Sequence, residues 1–115
     1  MESRAGLRAL PDILALDGVD GVFIGPSDLA ADMGHLGNPS HPDVKAAVLS
    51  ALRDIRAAGK AAGVMALDPG FIRECRDAGA NFIGIGVDVM MLTQALRSLA
   101  GDWVGRPAGG PGAAA

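Results

Sequence analysis

Two acids, Glu2 and Asp28, carry the chemistry that can be read most directly from this chain. Asp28 lies in Gly25-Pro26-Ser27-Asp28, immediately after the apolar run Val22-Phe23-Ile24, and Glu2 precedes it by about one strand-helix repeat. Both would then end adjacent parallel strands on the same face, where α/β enzymes place their functional groups. Neighbouring strands run roughly 4.8 Å apart, close enough for two carboxylate oxygens to share a divalent cation. Hard oxygen ligands suit Mg²⁺ or Mn²⁺, with remaining positions left to water or substrate. Such an ion is a Lewis acid toward a carbonyl oxygen. Taken singly the acids read more plainly: Asp28 as the N-cap of a following turn, Glu2 as a solvated terminal side chain. The pairing is what gives them meaning.

The elements that must position this pair follow from periodicity. Leu7, Leu10, Ile13 and Leu14 share one face of a helix over 6–16, with Pro11 as a local irregularity. Gly21 to Gly25 is short, apolar and bounded by glycines, as expected of a strand buried on both faces. A loop or short helical turn follows, opened by Asp28. Asn38, Pro39, Ser40 and Pro42 mark a helix start, and Val44, Ala47, Val48, Ala51, Leu52 and Ile55 recur at three- and four-residue spacing until Gly59. A strand over 61–67, a helix over 71–78, a strand over 81–87 and a helix over 89–103 complete the order.

Repeated βα units with short connections require parallel strands and right-handed crossovers. Three strands cannot close a barrel, and such units begin both open doubly wound sheets and (β/α)₈ barrels. The acid at the chain start and the helix ending near Trp103 fit the last three and a half units of a barrel, so residues 1–104 are expected to be the C-terminal part of one. Residues 105–115, Gly-Arg-Pro-Ala-Gly-Gly-Pro-Gly-Ala-Ala-Ala, read as a disordered tail.

Composition narrows the partners. Half of the residues are hydrophobic, but with 17 Gly, three Phe, one Trp and no Tyr the interior must be built from small aliphatic groups. A net charge of −3 with interspersed signs offers no basic stripe for nucleic acid and no polybasic patch for a membrane. No apolar run is long enough to span a bilayer, and with Glu2, Arg4, Arg8 and Asp12 among the first residues no signal peptide is expected there. The lone Cys75 forms no intrachain disulfide and is expected to be buried and inert, which suits a cytoplasmic protein.

Other residues invite chemical readings and lose them. His35 and His41 lie in the loop after Asp28, where exposed or structural roles are the simpler account, although His35 could line a subunit contact or the mouth of a site. Gly84 and Gly86 in Ile83-Gly84-Ile85-Gly86-Val87-Asp88 suggest a phosphate cradle, but the third glycine of that fingerprint is missing. Small residues at a strand end serve close approach, and Asp88 reads as the cap of the last helix. That helix carries Val89, Leu92, Leu96, Leu99 and Trp103, with Met90 and Met91 beside them, more apolar surface than one face needs.

The segment GLRALPDILALDGVDGVFIGPSDLAADMGHLGNPSHPDV, with AAGKAAGVMA and GANFIGIGVD, resembles the HpcH/HpaI aldolase/citrate lyase family, most closely its sugar-acid branch, which includes 2-dehydro-3-deoxyglucarate aldolases. The similarity runs from Glu2 to about Leu99. It implies a metal-dependent class II pyruvate aldolase that cleaves a 2-oxo-3-deoxy sugar acid into pyruvate and an aldehyde. Glu2 and Asp28 match the family's metal ligands, with Mg²⁺ the expected ion. Ser27 matches a residue whose backbone amide, beside Asp28, holds the pyruvate carboxylate, and Met65 matches an apolar residue facing the aldehyde. The family's catalytic His, its substrate-binding Arg and a Gln before the metal-binding Glu fall upstream of Met1. No catalytic residue is therefore expected in this chain, which reads as an N-terminally incomplete form. The resemblance also implies a hexamer in which the last helix is exchanged between neighbours. Two other readings stand beside it: a non-catalytic fragment or assembly module, and a CoA-thioester lyase of the same superfamily.

Overall fold

The architecture was obtained as a computed structural model that describes residues 1–104, so the expected tail lies outside the described residues. The elements run α1 (Arg4–Leu14), β1 (Gly21–Ile24), α2 (Pro26–Asp32), α3 (Pro42–Ala57), β2 (Ala61–Met65), α4 (Pro69–Asp77), β3 (Phe82–Gly84) and α5 (Asp88–Val104). The chain divides into two units, one from Met1 to Ile85 and the other from Gly86 onward. Among the described residues no helix is long and apolar enough to cross a membrane.

In the first unit the strands form one sheet in the order β1-β2-β3, all parallel, as the βα repeats require. Register pairs Ile24 with Val64 and Val64 with Ile83, so these side chains share a face. Against that face lies α3, whose Val44, Val48, Ala51, Leu52 and Ile55 are buried at the spacing of a single helical stripe. Leu29 and Ala30 of α2, Phe71 and Cys75 of α4 and Leu10 of α1 complete this core. The α3 stripe ends at Gly59, whose φ of +77° lets its amide donate to Arg56 O and the Lys60 amide to Ile55 O. This is a Schellman stop.

The opposite face corrects the expectation of strands buried on both sides. Phe23, Gly63 and Phe82 are aligned across it, and Phe23 and Phe82 are 37% and 66% exposed. The two rings meet edge to face at a centroid distance of 5.5 Å, passing over Gly63, where a Cβ would stand 2.5 Å from Phe23 Cδ2. Helices cover only one face of the sheet in this unit, so the apolar run of β1 splits by side-chain alternation into buried Ile24 and exposed Phe23. The predicted strands are also shorter than expected, β3 being three residues rather than seven.

Two clamps hold the unit's edges. Lys60 Nζ donates to Leu16 O at 2.8 Å and to Val19 O at 2.5 Å, closing the turn between α1 and β1. Lys45 Nζ reaches Glu74 Oε1 at 2.8 Å and lies over the Phe71 ring, joining α3 to α4. In the second unit α5 has no buried residue; Leu92, Leu96, Leu99 and Trp103 are each more than half exposed.

Ile55→Ala is expected to lower the free energy of unfolding by about 2–5 kcal/mol, because Ile55 is fully buried and its loss opens a cavity under the sheet. Urea unfolding measures it, and a change below about 0.5 kcal/mol would contradict the assigned core. Burial pushes the Cys75 thiol up to about 11, with Glu74 adding to the effect. Cys75 should therefore resist a thiol reagent at pH 8 until urea exposes it. The same shift stabilises the fold below the unfolded value of 9.0, a contribution lost as pH rises from there through about 11.

Candidate functional site at the carboxyl ends of the strands

The chain start is built into the sheet. The Met1 ammonium donates to Phe23 O at 2.6 Å and the Gly25 amide donates to Met1 O at 3.0 Å. That pattern is a parallel pairing of Met1 opposite Ile24, so the ladder gains a position on the free side of β1. Glu2 is the next residue, and its side chain lies over Gly25: a Cβ there would stand 2.8 Å from both Glu2 Cγ and Oε1. Glycine at 25 is thus the condition for a carboxylate beside the end of β1.

After Gly25 the chain turns directly into α2. Gly25 is the N-cap and Pro26 opens the helix, which corrects the plainer reading of Asp28 as the cap. Asp28 stands instead in the first turn, where the helix dipole favours its negative charge. Pro26 has no N–H, and the amides of Ser27 and Asp28 belong to the first turn, whose donors have no intrahelical acceptor. Glu2 and Asp28 are both exposed. Glu2 lies over Gly25, and Asp28 follows Gly25 by three residues in the chain that leaves the sheet.

A hollow of about 120 Å³ lies at the ends of β1 and β2, with Ser27 and Met65 in its wall together with Pro26, Pro39, Ser40 and Phe71. The structure therefore brings two of the sequence-predicted residues into one cavity, and Glu2 and Asp28 are not part of its lining. Met65 is half-buried and its Sδ and Cε cover Gly84, where a Cβ would stand 2.9 Å from Cε. The floor is completed by Asp68, which caps α4 by accepting from the Phe71 amide at 2.7 Å. Sequence reasoning overlooked this cap, although Asp68-Pro69 is the usual signal for one.

Asp32, at the end of α2, was also overlooked. Its Oδ2 accepts from the Arg4 amide at 2.7 Å and from Arg4 Nε at 3.2 Å, fastening the start of α1 to α2 and so holding the segment that carries Glu2. The Arg4 amide first, and its guanidinium next, hold the Asp32 carboxyl below its ordinary 3.8. Nothing in local periodicity announces this pair, because its partners are far apart in sequence.

His35 and His41 are half-buried and stacked, with ring centroids 3.5 Å apart, and His41 Nδ1 accepts from the Asp43 amide at the start of α3. Asp88 accepts from the Val89 amide at 2.7 Å at the start of α5.

Residues 1–95 match the family model of HpcH/HpaI aldolase/citrate lyase. A hydroxypyruvate/pyruvate aldolase of Roseovarius nubinhibens is 58% identical over 103 residues, covering 90% of this chain and 40% of that protein. A 2-keto-3-deoxy-L-rhamnonate aldolase of Klebsiella pneumoniae is 52% identical over 96 residues, covering 84% and 36% respectively. The crystal structure of a family member from Burkholderia cenocepacia superposes with a TM-score of 0.78 at 40% identity, over 88% of this chain and 39% of that one. The chain thus spans about two-fifths of the length of the curated relatives it matches, and its parallel β1-β2-β3 sheet is part of the barrel architecture of those relatives. With a family model matching residues 1–95, most of its length, this chain belongs to the HpcH/HpaI aldolase/citrate lyase family.

Proposed function

We propose that this chain supplies the metal- and pyruvate-binding portion of a class II pyruvate aldolase. The observation that carries the reading is the placement of Glu2 over Gly25 and of Asp28 in the turn that follows, two hard-oxygen donors at the carboxyl edge of a parallel sheet. That donor set and its exposure fit a divalent ion, with Mg²⁺ the ion proposed and Mn²⁺ its alternative. Glu2 and Asp28 would hold the ion, which would supply charge stabilisation at the oxygen of a forming enolate.

The proposed reaction is cleavage of a 2-oxo-3-deoxy sugar acid such as 2-dehydro-3-deoxyglucarate. The C4 hydroxyl loses its proton, the C3–C4 bond breaks with release of the aldehyde, and its electron pair passes into the enolate of pyruvate, which is then protonated at C3. This chain's residues bind and orient. The first-turn amides of Ser27 and Asp28 suit the pyruvate carboxylate, which also gains from the positive end of α2. Met65 gives the hollow an apolar wall for the aldehyde part. The base and the Arg that the resemblance places upstream of Met1 would act from outside this chain. The names of the two relatives above, each an aldolase of a 2-oxo acid, support the same substrate class.

The exposed stripe Leu92, Leu96, Leu99 and Trp103 on α5 supports a homo-oligomer in which this helix packs on a neighbouring copy, a hexamer by the family resemblance. The lone buried thiol is in keeping with a reducing compartment such as the cytoplasm.

The deciding assay is pyruvate release from 2-dehydro-3-deoxyglucarate, with Mg²⁺ or after chelation, by this chain and by a form extended at its N-terminus to the length of the relatives. Metal-dependent release by the extended form is expected, and Asp28→Asn should reduce it by about 100-fold or more; no release from a folded extended form would overturn the reading. A second expectation concerns Asp32 as a positioning residue. Asp32→Ala should weaken Mn²⁺ binding, followed by electron paramagnetic resonance, while the urea midpoint stays in place. Because its carboxyl titrates below 3.8, the Arg4 tie is complete above that pH and is lost only as pH falls through the lower value.

A further inference from the structure

The loop between α2 and α3 brings together three side chains that the aldolase reading does not use. His35, His41 and Asp43 each offer one ligand atom, and these atoms lie within 4.8 Å of one another, a grouping of a kind found once among the described residues. His35 Nε2 and His41 Nδ1 each stand 3.8 Å from Asp43 Oδ2, so both rings turn a nitrogen toward the same carboxylate. The geometry points to a second metal site, one that takes a single borderline divalent ion such as Zn²⁺ through two imidazoles and one carboxylate.

Ligand chemistry separates this site from the oxygen-only pair of Glu2 and Asp28. Imidazole nitrogens select Zn²⁺, Ni²⁺ or Cu²⁺ over Mg²⁺, whereas carboxylates alone suit the harder ions. The backbone under the site is already fixed: the His35 amide donates to Ala30 O at 2.7 Å, Asn38 to His35 O at 2.9 Å, and His41 to Asn38 O at 3.1 Å. Only side-chain torsions remain to adjust. Zn–N bonds of about 2.1 Å require the stacked rings to splay until their in-plane lone pairs converge, and side-chain exposures of 27% and 31% leave both rings room to do so. His41 must then give up the Asp43 amide that its Nδ1 accepts at 3.2 Å. A cation here faces the positive end of α3, and the Asp43 carboxylate offsets that. The nearest lysine on α3, Lys45, is turned away onto Glu74.

Binding would staple the loop to the first turn of α3. The same loop places Pro39 and Ser40 in the wall of the hollow that holds Ser27 and Met65, so the ion would fix one side of the candidate site.

Titration of the chain with Zn²⁺ in the presence of excess Mg²⁺, followed by calorimetry and by the imidazole proton resonances, tests this. One Zn²⁺ per chain is expected, with both histidines shifted. His35→Ala should weaken binding by at least about tenfold, the lower bound for disturbing a metal site. His41→Asn, which keeps a side chain able to cap α3, should do the same without loss of helix by circular dichroism. Zn²⁺ binding of unchanged affinity in both variants, or no binding by the unaltered chain, would overturn the proposal. Neither result bears on pyruvate release.

Discussion

The parallel ladder of β1, β2 and β3 against one stripe of α3 is the constraint on which the rest of this structure depends. Ile24, Val64 and Ile83 form a row through register, and Val48, Leu52 and Ile55 fill the space above that row. Each of these residues except Ile83 is fully buried, and among the described residues no polar or charged residue is buried. The interior is therefore close-packed aliphatic material in which one lost methylene is felt. What the ladder provides for function is direction. All strands end on the same side, so Glu2, the Gly25 turn and Met65 emerge at one edge without any of them having to contribute to stability.

Small residues then decide what can approach that edge. At Gly25 the missing side chain is replaced by the Glu2 carboxylate, and at Gly84 by the Met65 thioether. At Gly63 it is replaced by two aromatic rings from the outer strands. The same face that lacks Cβ atoms also leaves Phe23 and Phe82 partly bare, a property of a sheet layered with helices on one side only.

Polar contacts act in this unit as fasteners at its margins. Asp32 draws the start of α1 to the end of α2, Lys60 closes the turn before β1, and Asp68 starts α4 beneath the hollow. None is buried. The exposed Asp32–Arg4 ion pair contributes little to overall stability, and what the three contacts share is that they fix where loops begin relative to the strands that carry the site.

The sequence by itself determined the element types, their order and the parallel sense of the sheet, because the stripe of α3 and the glycine-bounded apolar runs are local patterns. It also determined the family, since GPSDLAADMGHLGNPSHPDV states a strand end, a turn and a helix start within one short segment. It did not reveal which face of β1 is covered, because a short apolar run reads alike whether it is buried on one side or two. Nor did it reveal Met1 paired opposite Ile24, Asp32 holding Arg4, or His35 stacked on His41, each a contact across a turn or between elements. Periodicity reports the environment of a residue along its own element. Only the tertiary structure brings together groups that no local pattern links, and here those groups hold Glu2 in place and define the loop beside the hollow.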